Sequence, residues 1–583
     1  MPDITRDDII EILERIALLL DLKGENPFKV RAYRNGAEAI RTYSGDFIAV
    51  AADGDLKGIK GIGDALAKKV HQLVADGKME YYENLRTEFP ESIFELFEVQ
   101  GLGPKKVKAV HDALGVNSIA DLKRACEEGK VAELPGFGKK TAEKILEAIA
   151  FRESHADEHR QGDLAAPVEM VLGFLRDLPA VSRAEVGGSY RRGKEVSHDL
   201  DFLCATKEAQ AVMDAFAGAP FTESVIAHGK TKTSIRIAGG VQCDLRAVSN
   251  AEFPFALAYF TGNKDHNVAI RGRARDKGYT LNEYRLAPLD DPEHAADLGI
   301  EDERGLYRFL GLDYIEPELR ENTGEIEAAE SGKLPQLVKL ENLRGTFHNH
   351  TTASDGRATL AEMAAAAQDL GLQYLGIADH SKASFQANGL DEKRLRDQIA
   401  AIAELNAGFD GFRLFAGSEV DILRDGSLDF GDDLLAELDY AVASVHNVFT
   451  LSEADQTARI IKAIENPHVT MIGHLTGRLL LQREPYALNI EAVLDAAAET
   501  GTIIELNANP WRLDLDWRWW KLAKAKGVKC AINPDAHSTK GLQDLFFGTR
   551  IARKGWLEKD DVVNCLPLGK IEKVLAAKRD RKG

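Results

Sequence analysis

The sequence predicts a multidomain chain of α+β and α/β class, and three observations carry that expectation. Residues up to about 150 read as short helical patterns broken by glycine. From about 168 to 250, β-branched runs such as HDLDFLCA and VQCDLRAV alternate with helical ones. From 343 onward, short apolar strands alternate with alanine-rich helices, the pattern of parallel β/α architecture. A length of 583 residues corresponds to roughly three to five domains.

Lys+Arg 74 against Asp+Glu 93 leaves a net charge of −19. A histone-like or tail-driven nucleic-acid binder is therefore excluded, and any DNA contact must come from local clusters. Five cysteines without a C-x-x-C fit reduced thiols. The start MPDITRDDIIEIL lacks a signal-peptide apolar region, and no apolar run is long enough to span a membrane. A cytoplasmic protein is expected.

The chain opens on an amphipathic helix, with Ile9, Ile12, Leu13, Ile16 and Leu20 on one face. An internal repeat follows: Gly61-Ile62-Gly63, Gly101-Leu102-Gly103 and Gly136-Phe137-Gly138, each between helical patterns and each trailed by lysines. Glycine permits the turn, and the next helix opens with free N–H groups suited to a phosphate oxygen. Three copies with the same apolar middle point to backbone-directed DNA binding and resemble the helix-hairpin-helix motif.

In GGSYRRGKEVSHDLDFL, strand alternation puts Asp199 and Asp201 on one face. Gln242, Asp244 and Arg246 share the polar face of another strand. Three carboxylates on neighbouring strands repel unless a cation sits among them, and their oxygens suit Mg²⁺ or Mn²⁺. Gly187, Gly188 and Ser189, with Arg191 and Arg192, supply N–H, hydroxyl and guanidinium groups for phosphates. The polar stretch 316–342 reads as an interdomain linker.

The last third concentrates histidines in F-H-N-H-T, A-D-H-S, S-V-H-N, G-H-L-T and P-D-A-H-S: His348, His350, His380, His446, His474 and His537. With Asp355, Glu419 and Asp535 they offer nine N/O ligands, a set suited to metal-assisted hydrolysis of phosphate esters. Within a strand, H-x-H and D-x-H each put both ligands on one face. Trp511, Trp517, Trp519 and Trp520 form an aromatic cluster around 511–520 that could stack bases but reads rather as packing of a β/α-loop segment. The terminal KRDRKG reads as a frayed basic end.

The motifs G-S-Y-R-R-G-K-E…D-L-D, C-D-L-R, Tyr259-Phe260-Thr261-Gly262 and T-L-N-E-Y resemble the family X DNA polymerases, the polymerase β group, over about residues 1–315. The resemblance implies catalytic metal ligands at Asp199, Asp201 and Asp244. It implies triphosphate contacts at Ser189 and Arg192, with Gly188 and His198 beside them. Tyr259, Phe260 and Gly262 would line the sugar, Asn267 would reach the base and Arg271 the template strand. Gln242 stands where relatives carry an arginine, and Lys264, over the nucleotide base, where polymerase β has an acidic residue. The N-terminal part resembles the family's lyase domain, with Lys69 at its Schiff-base position and Lys29 and Tyr33 at its 5′-phosphate pocket; Phe28 and Ala65 depart from that pattern. Residues 343–575 resemble the polymerase and histidinol phosphatase (PHP) domain, implying a distorted seven-stranded β/α barrel with three metal ions.

The expected domains are 1–88 lyase-like, 89–155 fingers-like with the second and third hairpins, 156–250 nucleotidyltransferase palm, 251–315 thumb, 316–342 linker and 343–583 PHP. The function expected is DNA-directed DNA synthesis across short gaps in base excision repair or end joining. A PHP 3′-5′ exonuclease or phosphoesterase activity, extending to abasic sites, and a 5′-deoxyribose phosphate lyase accompany it. Cofactors would be Mg²⁺ or Mn²⁺ at the carboxylates, up to three Mn²⁺ or Zn²⁺ at the PHP site, and a monovalent cation at the hairpins. Partners would be gapped or primer-template DNA, dNTPs and other repair proteins, with the chain a monomer. Two rivals are a nucleotidyltransferase for RNA or small molecules fused to a small-phosphate phosphatase, and a non-catalytic DNA scaffold. The three hairpins argue against the first, and the intact carboxylate triad and metal set against the second.

Overall fold

A computed structural model describes all residues except 1–3, 42, 44–46, 57, 60, 100, 295–297 and 581–583. The side chains of the terminal basic run lie outside the described residues. The chain divides into two compact units, residues 1–156 and 157–583.

The first unit is helical. Its opening helix, Arg6–Lys23, starts at a Thr5/Asp8 capping box and stops at Gly24, whose φ of 69° suits the left-handed cap. Ile9, Leu13, Ile16 and Leu20 are buried in the unit's core, with Ile12 at its margin. In each hairpin the first glycine has positive φ: 102° at Gly61, 84° at Gly101 and 84° at Gly136. Gly63 and Gly103 then cap the helices Asp64–Asp76 and Pro104–Leu114. The third copy departs, because Gly138 is itself left-handed at 70° and Phe137 takes the cap position of Gly138–Ser154.

The second unit contains a five-stranded sheet ordered Val181–Val186, Asp199–Thr206, Gln242–Val248, Lys232–Ile237 and Thr222–His228. Asp199–Thr206 runs parallel to Gln242–Val248, and the other pairs are antiparallel. Leu200, Phe202 and Cys204 pack toward the helices Gln161–Asp177 and Ala209–Ala217. Leu203 and Ala205 face Phe253, Ala256 and Leu257. This alternation buries both faces and leaves the carboxylates at the strand's beginning.

Residues 316–342, expected as a linker, are packed structure. Leu319, Ile326, Ala329 and Leu337 join the core built on Phe255, Ile270, Leu306 and Tyr307. Arg320 and Glu325 are fully buried. The acidic composition is spent on internal ion pairs, Arg320–Glu303, His266–Glu325, Arg553–Glu318 and Lys554–Glu321, which composition alone does not distinguish from a solvated surface.

The C-terminal region forms a seven-stranded, all-parallel sheet in chain order: Gly345–Thr346, Tyr374–Ile377, Arg413–Asp421, Tyr440–Ser444, Met471–Ile472, Ile503–Asn507 and Cys530–Asn533. A parallel bridge between Asn349 and Ala536 joins the chain just beyond the first and last strands, so the sheet nearly closes into a barrel. The cysteines are buried free thiols. No helix among the described residues is long and apolar enough to cross a membrane.

Candidate active sites

Parallel register places Asp201 directly opposite Asp244, and Asp199 opposite Gln242. The three carboxylates bring ligand atoms within 4.8 Å of one another. Burial first, then Asp199 and Asp244, push Asp201 up to about 6. Burial and Asp244 also raise Asp199. Asp244 goes the other way: burial would raise it, but hydrogen bonds from Lys232, Gln242 and Ser234 outweigh that and lower it. Such mutual repulsion on an oxygen-only set is relieved by a divalent cation, so the residues fit the expected metal.

The Gly187-Gly188-Ser189 turn abuts this cluster. Gly187 N–H donates to Asp201 O at 2.7 Å. Gly188 has φ 60°, and a Cβ there would collide with the Asp201 carboxylate. The two arginines have protein partners. Arg191 binds Glu303 at 2.7 Å, and buried Arg192 binds Glu321 at 3.0 Å and the Thr261 carbonyl at 2.8 Å. Ser189 donates to Ser197 at 2.7 Å, and His198 lies 3.3 Å from Glu158. Tyr259 and Phe260 meet edge to face at 5.1 Å, Arg246 lies over Phe260, and Asn267 donates to the carbonyls of Tyr259 (2.7 Å) and Gly262 (3.0 Å). Lys264 and Arg271 are exposed.

In the first unit, Lys69 donates to Tyr33 and its ammonium lies 3.7 Å over the Tyr81 ring. Burial, then the charge of Lys29, lower the Lys69 pKa. Tyr81 also holds Lys29, so one aromatic residue that the sequence reading passed over organises both cations. A separate cavity of about 510 Å³ is lined by Gly101, Gly103, Lys105, Lys106 and Lys108, with Asp21 and Arg34.

All nine expected PHP ligands converge in four overlapping groups, each with ligand atoms within 4.8 Å. The groups are His348/Glu419/His474, His348/His350/Asp535, His380/Glu419/His446 and His350/Asp355/His380/His537. Glu419, His348, His350 and His380 are shared, so the site is one continuous cluster. Strand alternation is not what aligns the H-x-H and D-x-H pairs. His348 (φ 56°), His474 (φ 23°) and Asp535 (φ 52°) are left-handed, and the ligands leave the strand ends on kinked backbone. His348 and His350 still sit 5.3 Å apart, ring to ring.

Buried polar atoms without hydrogen bonds here include His348 Nε2, both His350 nitrogens, His474 Nδ1 and Glu419 Oε2. Burial opposes charge on His380 and His446, but Glu419 and its neighbours outweigh it, pushing them up to about 11 and about 9. Burial, His537 and His380 push His350 down to about 4. Unsatisfied donor atoms facing carboxylates are what bound metal ions would complete, so these residues fit them.

Several supporting residues were not foreseen. Glu505 lies 2.6 Å from His348 Nδ1 and accepts from Asn507 and Asn533 at 2.9 Å. Asp421 lies 3.1 Å from His446 Nδ1, and Asp379 accepts from the Thr351 N–H (2.8 Å) and hydroxyl (2.6 Å). The signal for Glu505 was a lone acid in the apolar strand I-I-E-L-N, whereas Asp379 stood inside A-D-H-S and Asp421 two residues after Glu419. Lys232, 2.6 Å from Asp244, carried no motif. Arg512 lies 3.6 Å from Asp535. Of the tryptophans, Trp517 and Trp520 pack as expected, but Trp511 is 43% exposed.

Comparison with known families matches residues 4–79 to the helix-hairpin-helix domain and 93–150 to the SAM-like helix-hairpin-helix tandem. Residues 256–321 match the DNA polymerase beta thumb, and 346–509 the PHP domain. A probable phosphatase of Thermoanaerobacter sp. (strain X514) is 30% identical over 247 residues, 40% of this chain and 96% of its own length. One from Caldicellulosiruptor saccharolyticus is 32% identical over 200 residues, 33% of this chain and 78% of its own. The DNA polymerase/3′-5′ exonuclease PolX of Bacillus subtilis (strain 168) is 38% identical over 575 residues, 98% of this chain and 99% of that protein. Aligned from end to end with that enzyme, the chain belongs to the PolX family, family X DNA polymerases with a C-terminal PHP domain.

Proposed function

We propose that this chain is a DNA-directed DNA polymerase that fills short gaps during repair and carries a 3′-5′ exonuclease or phosphoesterase in its PHP barrel. The observation that carries the reading is the pairing, on one chain, of the Asp199/Asp201/Asp244 cluster with the nine-ligand His/carboxylate cluster. Divalent metal dependence follows for both. Mg²⁺ or Mn²⁺ suits the all-oxygen set and Mn²⁺ or Zn²⁺, up to three ions, the histidine-rich one. When bound, such ions lower the pKa of a coordinated water or hydroxyl and neutralise phosphate charge.

The chain's own residues do the rest. The Gly188-Ser189 turn presents N–H and hydroxyl groups to the dNTP triphosphate beside Asp201. Tyr259, Phe260 and Gly262 wall the sugar against ribose. Arg192, held by Glu321, supplies positive charge, and His198 stands at the site's edge. Asn267 faces the incoming base from its anchor on Tyr259 and Gly262, Arg271 the template strand, and Lys264 the nucleotide base. The glycine hairpins at 61–63, 101–103 and 136–138 hold the DNA backbone, with a monovalent cation. Lys69, with Lys29 and Tyr33, serves a 5′-deoxyribose phosphate end as nucleophile. The protein acts as a cytoplasmic monomer.

Primer extension on gapped DNA tests the reading, comparing dNTP with rNTP and Mg²⁺ with Mn²⁺. Extension with dNTPs only, plus shortening of a 3′-ended strand when dNTPs are withheld, is expected. Absence of both would overturn it.

A further inference from the structure

A cavity of about 870 Å³ opens onto the PHP cluster, with the ligands Asp535 and His537 in its wall. Its other walls come from two parts of the second unit. Gly162, Ala165 and Ala166 of helix Gln161–Asp177 form one side. That helix comes close because residue 162 lacks a side chain: a Cβ there would collide with Pro510. The barrel supplies the opposite side, where Trp511 is 43% and Phe546 42% exposed. They are two of five large exposed aromatic rings among the described residues, and these two line one cavity beside the hydrolytic cluster.

The Trp511 ring is held in place. The Arg160 guanidinium lies 3.1 Å over its centre, and Asp163 fixes Arg160 at 2.8 Å. Lys540 and Arg357 add cationic groups to the wall. Besides the cluster's own Asp535, the wall holds two carboxylates. Asp163 is paired with Arg160, and burial pushes Asp544 up to about 7. The volume falls within the range of small-ligand sites, roughly 300–1,000 Å³. Flat apolar rings beside cations are what a nucleobase and its phosphate require, since a base stacks on an aromatic face whatever its identity.

We infer that this cavity is the subsite for the terminal nucleotide of a single-stranded DNA 3′ end, with Trp511 and Phe546 stacking its base while Lys540 and Arg357 hold phosphate. The inference rests on the exonuclease reading of the PHP cluster. Because the helix Gln161–Asp177 forms one wall, the subsite is composite: the barrel alone lacks part of it. Stacking makes it tolerant of base identity but sensitive to the presence of a base.

The test uses the full chain and two oligonucleotides, one ending in thymidine and one in a tetrahydrofuran abasic residue. The readout is the ratio of kcat/KM for the two. Wild type should favour the base-bearing end by about tenfold or more, the scale of one base stack. Trp511→Ala and Phe546→Ala should bring the ratio toward one, and Trp511→Phe should keep most of it. Damage to folding or metal loading lowers both substrates together and leaves the ratio intact, so an unchanged ratio in Trp511→Ala overturns the subsite. A 3′-terminal 5-iododeoxyuridine behind a phosphorothioate linkage gives a readout independent of hydrolysis. Photocrosslinking mapped to Trp511 or Phe546 is expected. Crosslinking there without any hydrolysis would keep the subsite and sink the exonuclease reading, whereas hydrolysis with crosslinks only elsewhere would sink the subsite.

Discussion

Lys232 Nζ lies 2.6 Å from Asp244 Oδ2, so a lysine on the adjacent antiparallel strand holds one corner of the carboxylate cluster. The ammonium and a divalent cation compete for the same oxygens. Lys232→Ala should therefore lower the Mg²⁺ concentration that primer extension requires by about two- to fivefold, since a partly exposed pair contributes about 0.2–1 kcal/mol. Asp244→Ala should reduce extension to background and leave 3′-end hydrolysis in place. Near wild-type extension by Asp244→Ala would refute the ligand assignment.

The hairpins separate backbone strain from DNA contact. Gly103 has φ −71° and open space around a Cβ, so Gly103→Ala should fold normally. Gly101, at φ 84°, disfavours any side chain, and Gly101→Val adds strain to the same turn. Both should weaken binding to gapped DNA regardless of sequence, Gly101→Val more, as read by fluorescence anisotropy across a salt series. Unchanged affinity in a folded Gly101→Val would make this hairpin only a turn.

Lys69 is half-buried beside Lys29, and both effects lower its pKa. A lowered pKa makes the neutral, nucleophilic amine available at lower pH than in an ordinary lysine. Borohydride trapping of a 5′-deoxyribose phosphate end should thus have a pH midpoint below 10.5, and Lys29→Ala should move it upward. Lys69→Ala should abolish the adduct. Trapping that survives in Lys69→Ala would place the nucleophile elsewhere.

At the PHP cluster, chelation should remove hydrolysis and Mn²⁺ should restore it better than Mg²⁺, because imidazole nitrogen favours transition metals. Glu419 and its neighbours raise the pKa of His380 and His446, and an imidazole must be neutral to ligate. Metal affinity, measured by calorimetry, should therefore rise from pH 6 to pH 8. His350→Ala should cost hydrolysis and leave extension intact. A flat affinity across that range would mean these imidazoles do not ligate.

Lys554 reaches from the helix Leu545–Lys554 to Glu321 at 2.6 Å and to the Arg192 carbonyl at 3.1 Å, fully out of water. Removing one partner of such a buried pair leaves the other unpaired. Lys554→Ala should destabilise the chain by about 3–5 kcal/mol in urea unfolding. A cost below about 1 kcal/mol would mean that Glu321 is satisfied by Arg192 alone.

Much of this was legible in local order. D-x-D on a strand, C-D-L-R on the next and the F-H-N-H-T and P-D-A-H-S motifs named the converging acids and imidazoles, because residue type and close spacing are local properties even where the backbone kinks, as at His348 and Asp535. Lys232, Glu505, Asp421 and Tyr81 were not legible. Each acts through a neighbour distant in sequence, and a single Lys or Glu in a strand reads the same whether it faces solvent or a buried carboxylate. The stretch 316–342 was misread for the same reason: its charges face Arg553, Lys554 and His266 rather than water.

By itself the sequence determined which chemical groups the chain carries, since the identity and spacing of Asp199, Asp201, Asp244 and the nine clustered His, Asp and Glu of the barrel are properties of the polymer. It also determined the hairpin repeat, because only glycine adopts positive φ there without strain. Tertiary structure alone decided which oxygens meet which nitrogens and how much water remains between them. That sets the raised pKa of Asp201 and of His380 and the lowered pKa of Lys69. It also decided that Gly162 lets the helix Gln161–Asp177 close one side of a cavity beside His537, a contact between segments more than 300 residues apart that no local pattern encodes.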